Sequence, residues 1–288
     1  MIDHIWHPMR YASNAQGHGG VFGEIMVMLE SGFRSLGMSI PVVKAPAPIS
    51  ERPLIICGPA LGALPRRLRR PPITLSDEAV VYNHEQIFPG TWLLNDDYLF
   101  ALRHCEVWDY SQVNIEAFRK MGIAPVKHVP NGYVPELEVF AQKPEADKDI
   151  DVLFVGGSFP RRVKILDECR KLGLRVTHLT NCYGAARDNF HAHAKVVLNL
   201  HAYAAAIFET ARVSYLLANG CCVVSENGTD QQAEDSYRAG VAFGSAEEIP
   251  ALALRLVNDP EARRKQAAVG QAMMRKMRFA DTLSRALQ

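Results

Sequence analysis

The second half of the chain alternates two kinds of segment, and this alternation restricts the fold more than any other feature. Apolar stretches typical of buried strands begin at residues 150, 174, 195 and 221 and read IDVLFVGG, LRVTHLT, KVVLNLH and CCVVSE. Between them lie stretches with apolar residues at helical spacing, joined by short connections. Because apolar strands that alternate with helices form parallel sheets covered on both faces, we predict a parallel α/β unit here.

The first half shows the same pattern with longer loops. Apolar runs at residues 54–59, 79–85, 106–111 and 126–129 predict strands, and VFGEIMVMLESGFRSLG predicts a helix that ends at Gly37. The polar segment from Lys143 to Asp149 contains proline and precedes a strand, so we interpret it as a hinge. The tail from Pro260 is predicted to be helical. We therefore expect two domains, residues 1–145 and 146–288.

Composition sets broad limits. The 288 residues are 48% apolar and 22% charged, which suits two units that each bury a core. The formal net charge of +1 gives no reason to expect a nucleic-acid partner. The six cysteines lack metal-ligand spacing, the N-terminus lacks the features of a signal peptide, and no apolar run approaches the ~20 residues of a spanning helix. These features predict a cytoplasmic protein.

A loop rich in glycine and arginine follows the first strand of the second half. Its residues are, in order, Gly156, Gly157, Ser158, Phe159, Pro160, Arg161 and Arg162, with Lys164 two positions further. Glycine lets the main chain approach a ligand closely, and a helix N-terminus presents N–H groups to a phosphate. The arginines and the lysine add cationic partners for a diphosphate. The alternative is an ordinary tight turn with solvated arginines.

A second segment places polar groups at strand and helix ends. Asn199 and His201 lie at the end of the third apolar stretch, and Glu209, Thr210 and Arg212 begin a helix. A carboxylate in this place can accept two ribose hydroxyls while nearby N–H groups hold phosphate oxygens. The alternative is that Glu209 only favours the helix dipole and Arg212 lies on the surface.

The stretch FETARVSYLLANGCCVVSE resembles the donor-site signature of retaining GT-B glycosyltransferases, especially the spore-maturation-type branch. In that family a glutamate, seven residues and a second glutamate precede a helix that ends in small residues and glycine. The second glutamate matches Glu209, and the helix end matches Ala218-Asn219-Gly220. The first glutamate falls at position 201, where this chain has His201.

Other segments extend the resemblance, in the same order, along about two thirds of the chain. They are VWDYSQVNIEAFRKMGIAPVKHVPNGY, the strand that ends at Gly156-Gly157, and the closing stretch from Arg278 to Leu283. The resemblance implies an α/β fold of two Rossmann-like lobes (GT-B), with parallel sheets flanked by helices and a cleft between the lobes. It also implies an acceptor-side N-terminal lobe, a C-terminal lobe that binds the nucleotide sugar, and a terminal helix that crosses back.

The resemblance also assigns two segments of the first half to the site. Related transferases carry a histidine at the end of the corresponding strand, close to the transferred sugar, and His84 matches it. A neutral imidazole can hydrogen-bond a sugar hydroxyl, and the carboxylate of Glu85 can accept a proton from the acceptor. Otherwise His84 caps a strand and Glu85 is solvated. In such enzymes a glycine-rich turn like that of Gly19 and Gly20 lies against the donor phosphates or the acceptor.

The predicted reaction is transfer of a glycosyl group from a nucleoside diphosphate sugar to an acceptor that the sequence does not identify, such as a surface polysaccharide, a lipid-linked glycan or a protein. Its candidate catalytic residues are His84, Glu85 and His201. No cofactor and no metal are expected, because GT-B enzymes use positive side chains and helix dipoles in place of a metal. Two alternatives stay open: a GT-B-fold nucleotide-sugar epimerase, and a non-catalytic subunit that binds nucleotide sugars.

Two clusters of basic residues and histidines allow further interpretations. The run PRRLRRPP, residues 65–72, can contact acidic lipid headgroups at ~1 kcal/mol per charge near the surface, which would bring the protein to the inner membrane surface. A solvated loop is the alternative. His191 and His193 lie two apart on a predicted helix and therefore on different faces, which argues against a shared zinc ion.

Overall fold

The computed structural model describes residues 1–2, 4–6, 22–43, 53–57, 78–91 and 94–288. The chain divides into two compact units, Met1–Pro130 with Ala280–Gln288, and Asn131–Phe279. The predicted junction between residues 145 and 146 falls inside the second unit. Two contacts hold this segment there: Glu145 forms an ion pair with the buried Arg263, and Lys148 Nζ donates to the main-chain oxygen of Ala194 at 2.8 Å.

The described part of the first unit contains a parallel sheet of six strands in the order β2-β1-β3-β4-β5-β6. The strands are β1 (His4–Trp6), β2 (Val42–Val43), β3 (Pro53–Cys57), β4 (Val80–Asn83), β5 (Glu106–Asp109) and β6 (Val126–His128). The described helices of this part are α1 (Gly23–Ser35), α2 (Asp96–His104) and α3 (Gln112–Lys120). In the register of β4 and β5, Asn83 lies beside Asp109, so polar groups meet where these two strands end.

The helix α1 confirms the helical pattern of its sequence. Its buried residues include Ile25, Met28, Leu29 and Phe33, which form one face at helical spacing. The helix ends before Gly37, whose φ of 75° is the left-handed conformation that favours glycine after a helix. One hydrophobic cluster in the described part of the first unit lies beneath α2 and α3 and contains Ala79, Val81, Ile87, Tyr98, Ala101, Leu102, Val107, Phe118 and Ile123.

The second unit, which is described throughout, contains a five-stranded parallel sheet in the order β11-β10-β9-β7-β8. Its strands are β7 (Ile150–Val155), β8 (Val176–Leu179), β9 (Ala194–Asn199), β10 (Val223–Glu226) and β11 (Val241–Gly244). Its helices are α4 (Pro160–Lys171), α5 (Gly184–His193), α6 (Thr210–Ala218), α7 (Gln231–Tyr237), α8 (Ile249–Asn258) and α9 (Pro260–Lys276). Two short 3₁₀ helices, Pro135–Leu137 and Glu145–Asp147, precede β7.

The core of the second unit forms between the sheet and the helices that cover it. Apolar residues of β7, β9 and β10 pack with α4 and α8, and the cluster includes Val152, Phe154, Ile165, Leu166, Val196, Leu198, Val224, Ile249 and Leu256. The alternation of strand and helix predicted from residue 150 to residue 226 is confirmed, and the sheet is parallel as expected.

The C-terminal tail consists of two helices, α9 and α10 (Phe279–Ala286). Between them Arg278 forms a β-bridge with Tyr133, and a Cβ at the neighbouring Gly132 would lie 2.7 Å from the main-chain oxygen of Met277. Glycine is therefore required at this close approach. Residues Ala280–Gln288 belong to the first unit, where Lys127 Nζ donates to the main-chain oxygen of Ala286 at 2.7 Å. Among the described helices, none combines the length and apolarity needed to cross a membrane.

Candidate functional site

The carboxyl end of β9 and the first turn of α6 bring three of the predicted residues together. Asn199 is the last residue of β9 and is fully buried. Its Nδ2 donates to Glu209 Oε2 at 3.0 Å and to Ser225 Oγ at 3.0 Å, and its Oδ1 accepts from Arg212 Nη1 at 3.2 Å. Asn199, Glu209 and Arg212 therefore form one connected cluster at the edge where ligands bind in parallel α/β sheets.

His201 joins this cluster beside Glu209. Its Nδ1 lies 3.1 Å from Glu209 Oε2, and neither ring nitrogen has hydrogen-bond geometry to a residue of this unit, so the two groups form an ion pair when His201 is protonated. Burial disfavours the imidazolium, but the carboxylates of Glu209 and Glu226 outweigh burial and raise the pKa of His201. Burial likewise acts to raise the pKa of Glu209, yet His201 and Arg212 lower it overall. Each group therefore shifts the pKa of the other toward the ionised form.

The glycine-rich loop lies between β7 and α4. A Cβ at Gly156 would lie 2.8 Å from the ring of Phe154, and a Cβ at Gly157 would lie 3.0 Å from the ring of Phe159. The buried ring of Phe154 is thus sufficient reason for glycine at position 156, whereas the Phe159 ring is 40% exposed and can move aside for a side chain at position 157. Ser158 is exposed, and α4 begins with Pro160 at its first position and without a side-chain cap. A role of this loop in binding a ligand stays a prediction.

The cationic residues of α4 divide into two groups. Arg161 forms a bidentate ion pair with Glu226, in which Nη1 donates to Oε2 at 2.6 Å and Nη2 donates to Oε1. Lys164 is exposed, and no hydrogen bond joins it to the cluster within the second unit. Thr210 accepts a hydrogen bond from Asn131 Nδ2 at 2.9 Å, so its hydroxyl fixes the turn before Tyr133.

Arg162 is a residue of this site that the sequence analysis did not single out from its neighbour. It is buried, and its Nε and Nη2 donate to the main-chain oxygen of Leu200 at 3.1 and 2.7 Å. Its guanidinium lies 5.1 Å from the ring of Phe154 and 5.3 Å from that of Phe159. Burial and the nearby charge of Arg212 lower the pKa of Arg162 to about 10, so it stays charged at neutral pH.

The sequence contained a signal for Arg162. The buried residues of α4 are Arg162, Ile165, Leu166 and Cys169, which share one face of a helix. Glu226 is a residue of this site that the sequence interpretation does not include, although it ends an apolar strand, which is the position that singled out Asn199.

The charges of the cluster do not cancel. Arg161 is matched by Glu226 and His201 by Glu209, whereas the guanidinium groups of Arg162 and Arg212 have no carboxylate of their own in the second unit. Arg212 also lies close enough to Phe154 for its Cζ to be 5.8 Å from the ring centre. Two guanidinium groups without matching carboxylates suit an anion with several oxygens.

In the first unit the predicted His84 and Glu85 follow β4 directly. The His84 ring packs edge-on against Tyr82 and stacks on Tyr110, with ring centres 4.1 and 5.8 Å apart. Glu85 is held through its main chain: its N–H donates to Asn83 Oδ1 at 3.2 Å, and its oxygen accepts from Asn83 Nδ2 at 2.9 Å and Asn114 Nδ2 at 2.8 Å. Burial raises the pKa of the Glu85 carboxyl to about 7.

Buried polar groups support the Glu85 loop. Asp109 accepts hydrogen bonds from Asn83 Nδ2 at 2.6 Å and from Asn114 Nδ2 at 3.1 Å, and Asn114 Oδ1 accepts from the N–H of Ile87 at 2.8 Å. The main chain of residues 85–87 is therefore fixed at three points, which suits a loop that presents a functional side chain.

Some predicted features lie outside the described residues. They are the glycine turn with Gly19 and Gly20, and the basic run at residues 65–72. Within the part of the chain that the structure describes, no three His, Cys, Asp or Glu side chains are grouped so that they could hold a metal ion.

Comparisons with sequences of known proteins give little. No family model matches the chain. Among curated proteins, the uncharacterized protein L140 of Acanthamoeba polyphaga mimivirus is 33% identical over 104 residues, which are 35% of this chain. The match spans 33% of the length of L140, about a third of that relative.

Solved structures are more informative. The chain is similar to Alr3699/HepE of Anabaena in complex with UDP-glucose, with a TM-score of 0.65 and 15% identity over 100% of this chain and 99% of that one. It is also similar to T4 phage BGT in complex with UDP and Mn²⁺, with a TM-score of 0.65 and 12% identity over 100% of both chains. A third similar structure is AviGT4, a glycosyltransferase involved in avilamycin A biosynthesis, with a TM-score of 0.54 and 15% identity over 94% of this chain and 90% of that one.

Sequence identities this low carry information about the fold alone. Two parallel α/β sheets flanked by helices, matched along the whole chain by HepE and BGT, confirm the fold predicted from the sequence. The chain has the GT-B fold.

Proposed function

We propose that this protein is a glycosyltransferase that takes its sugar from a nucleoside diphosphate sugar, with a uridine diphosphate sugar as the first candidate. The observation that carries the proposal is the cluster at the carboxyl ends of β9 and β10, where Glu209 lies among unmatched guanidinium groups. HepE in complex with UDP-glucose and BGT in complex with UDP support the choice of nucleotide.

Glu209 is suited to hold the ribose. Its Oε2 makes both contacts within the cluster, to Asn199 and to His201, while Oε1 makes no hydrogen bond within the second unit. A carboxylate oxygen with open lone pairs accepts hydroxyl donors well. We therefore assign Glu209 to the ribose, with Asn199 fixing the side chain. Gly156, Gly157, Ser158 and Thr210 are proposed to line the donor. The main-chain N–H groups of Gly156 and Thr210 donate to the oxygens of Leu179 and Phe208 at 2.9 Å, so we propose that Gly157 and Ser158 supply the main-chain donors.

Arg162 and Arg212, with Arg161, are proposed to stabilise the charge that develops on the leaving diphosphate. The exposed Lys164 would add positive charge near the same diphosphate. His201 is proposed to lie near the donor sugar with its charge set by Glu209. Since fixed cations supply the stabilisation, we propose that catalysis needs no metal ion. Transfer that is unchanged by EDTA would support this, whereas loss of transfer that Mn²⁺ restores would contradict it.

His84 and Glu85 are proposed to serve the transferred sugar and the acceptor. A carboxyl group with a pKa near neutrality is an effective general base, because about half of it is ionised at neutral pH and the carboxylate is basic enough to take a hydroxyl proton. We propose that Glu85 accepts this proton and that His84 hydrogen-bonds the sugar. Direct displacement by an acceptor hydroxyl that Glu85 deprotonates inverts the anomeric configuration, whereas the resemblance to the spore-maturation-type branch implies retention. NMR of the product distinguishes the two, and a retained configuration would contradict the role of Glu85 as the base.

A thermal-shift screen against nucleoside diphosphates and their sugars tests the donor class. A ligand at 100 times its dissociation constant stabilises the folded state by ~2.7 kcal/mol, so a true donor shifts Tm clearly. Hydrolysis of the sugar from the shifted donor, or its transfer to an acceptor, then supports a transferase. Conversion to another nucleotide sugar without an acceptor would favour an epimerase, and binding without any reaction would favour a non-catalytic subunit.

Location at the inner membrane surface is a separate proposal that rests on the basic run at residues 65–72. Sedimentation with vesicles that contain anionic lipid, and not with neutral vesicles, would support it. Equal behaviour with both kinds of vesicle would contradict it.

A further inference from the structure

Glu226 is a buried carboxylate on which three N–H groups converge. It ends β10, and only 1% of its side chain is exposed. Arg161 Nη1 donates to its Oε2 at 2.6 Å, Nη2 donates to its Oε1, and the main-chain N–H of His201 donates to Oε2 at 2.9 Å. One side chain therefore joins three elements: the end of β10, the first turn of α4 and the loop that follows β9.

The Arg161–Glu226 pair is unequal in exposure. The Arg161 side chain is 51% exposed, so it could be solvated without its partner. A buried carboxylate that loses its cation is strongly destabilising, whereas a half-exposed guanidinium that loses its anion is not. The geometry therefore indicates that Glu226 is fixed by the fold and that Arg161 is held by Glu226.

The guanidinium group of Arg161 interacts electrostatically with the cluster formed by Asn199, His201, Glu209 and Arg212. The charge of Arg161 acts on His201, whose pKa it tends to lower, and Glu209 acts in turn on Arg161. A free arginine at this place would have many rotamers, and ordering it on a ligand costs side-chain entropy. An arginine that is already ordered avoids this cost.

We propose that Glu226 is a positioning residue of the donor site, which orients Arg161 and the His201 main chain toward the diphosphate of the nucleotide. This inference rests on the proposed function. It assigns to Glu226 no contact with the substrate, and it predicts that Glu226 acts on donor binding through Arg161.

Experiment can distinguish this orienting effect from the opposite one, in which the Arg161–Glu226 ion pair weakens the binding of UDP. If Glu226 only masks the charge of Arg161, removal of the carboxylate charge frees a cation and strengthens the binding of UDP. If Glu226 orients Arg161, the Glu226→Gln variant places an amide N–H₂ group against the guanidinium, Arg161 turns into solvent, and UDP binds more weakly.

The test is a double-mutant cycle in which the affinity for UDP is measured by isothermal titration calorimetry. We expect about tenfold weaker binding for Glu226→Gln and for Arg161→Ala, and no further loss in the double variant, because both changes remove one interaction. Binding by Glu226→Gln that equals or exceeds that of the wild type would overturn the proposal. So would additive losses in the double variant, which would indicate a structural effect of Glu226 unrelated to Arg161.

A matched ion pair at the opposite end of the sheet serves as control. Asp151, at the start of β7, accepts from Arg175 Nε at 3.0 Å and Nη2 at 2.9 Å, and Arg175 is exposed to a similar degree as Arg161. Arg175→Ala should leave UDP binding unchanged. Circular dichroism and Tm of each variant establish that the chain is folded. A wild-type protein that binds no UDP would contradict the proposed function, whereas tight wild-type binding with unaffected variants would contradict this inference alone.

Discussion

At the scale of the residue, His201 and Glu209 illustrate how two neighbouring groups shift each other's pKa toward the charged form. Burial acts against the charged form of each group, and the contact at 3.1 Å makes the net pKa shift favour that form in both. The family signature that the sequence resembles has its first glutamate at the position of His201. An imidazole in place of that carboxylate removes a negative charge from the site, which suits a diphosphate ligand.

The pKa of His201 provides a prediction. We expect a value above the ordinary 6.5 in the wild type and below 6.5 in Glu209→Gln, since burial then dominates. A folded pKa above the unfolded one stabilises the fold at low pH, and this contribution is lost as the pH rises through the folded pKa. NMR titration of the histidine ring protons, assigned with His201→Gln, measures both values. An unchanged pKa in Glu209→Gln would contradict the pairing.

Glu85 gives a second prediction with a different origin, because burial alone raises its pKa to about 7. The ionised group costs stability as the pH rises from the unfolded value near 4.5 through 7. Glu85→Gln should therefore be more stable than the wild type above pH 7, and nearly equal to it at pH 4. One pKa unit corresponds to ~1.4 kcal/mol, and because the carboxylate is partly solvated we expect a gain of about 1 kcal/mol. Urea unfolding at the two pH values measures the difference.

The sequence identified most residues of the candidate site by position. Asn199 and Glu209 were singled out because they lie at a strand end and at a helix start. In the structure, Asn199 Nδ2 donates a hydrogen bond to Glu209 Oε2. Arg162 was not separated from Arg161, because adjacent arginines look alike until the buried face of α4 is known. The pairing of Arg161 with Glu226 spans 65 positions along the chain, and no local pattern reveals such a contact.

At the scale of the element, the loop after β4 depends on α3. Asn114 is fully buried in α3 and bonds the main chain of Glu85, the N–H of Ile87 and the carboxylate of Asp109. Helix α3 therefore acts as the support of the candidate base, although it contributes no side chain to the proposed reaction.

Asn114→Ala should destabilise the first unit by about 3 kcal/mol, because buried polar groups lose their partners. All three tryptophans precede residue 131 in the sequence, and Trp108 is buried in the first unit, so the urea transition followed by tryptophan fluorescence reports on that unit. The control is Glu116→Ala on the same helix, which removes only an exposed ion pair with Arg119 and should cost no more than about 0.5 kcal/mol. Equal effects of the two variants would contradict the supporting role of Asn114.

Elements were predictable where the apolar pattern was continuous. The strands from β7 to β10 were predicted within a few residues, whereas α7, β11 and α8 were not predicted. Helix α7 has only seven residues, few of them apolar, and strand β11 has only four residues. Neither segment is long enough to show a clear spacing of apolar residues. Helix α8 has a buried apolar face of Ile249, Ala253, Leu256 and Val257 and could have been predicted from its spacing.

At the scale of the whole molecule, the two ends of the chain contribute to one unit. Residues Ala280–Gln288 belong with Met1–Pro130, and Leu283 is fully buried. Leu283→Ala should therefore lower the stability of the first unit by about 2–5 kcal/mol through the cavity it leaves. Tryptophan fluorescence in urea measures this, with the partly exposed Thr282→Ala as control. An unchanged fluorescence transition in Leu283→Ala would contradict the assignment of the last helix to the first unit.

The central claim is that the second unit binds the nucleotide of a sugar donor through Glu209 and the surrounding cations. Titration of UDP into the wild type and into Glu209→Gln by calorimetry tests it most directly. We predict saturable one-to-one binding by the wild type and at least tenfold weaker binding by the variant, whose fold is verified by circular dichroism. Equal affinity of both proteins for UDP, or no binding by the wild type, would contradict the claim.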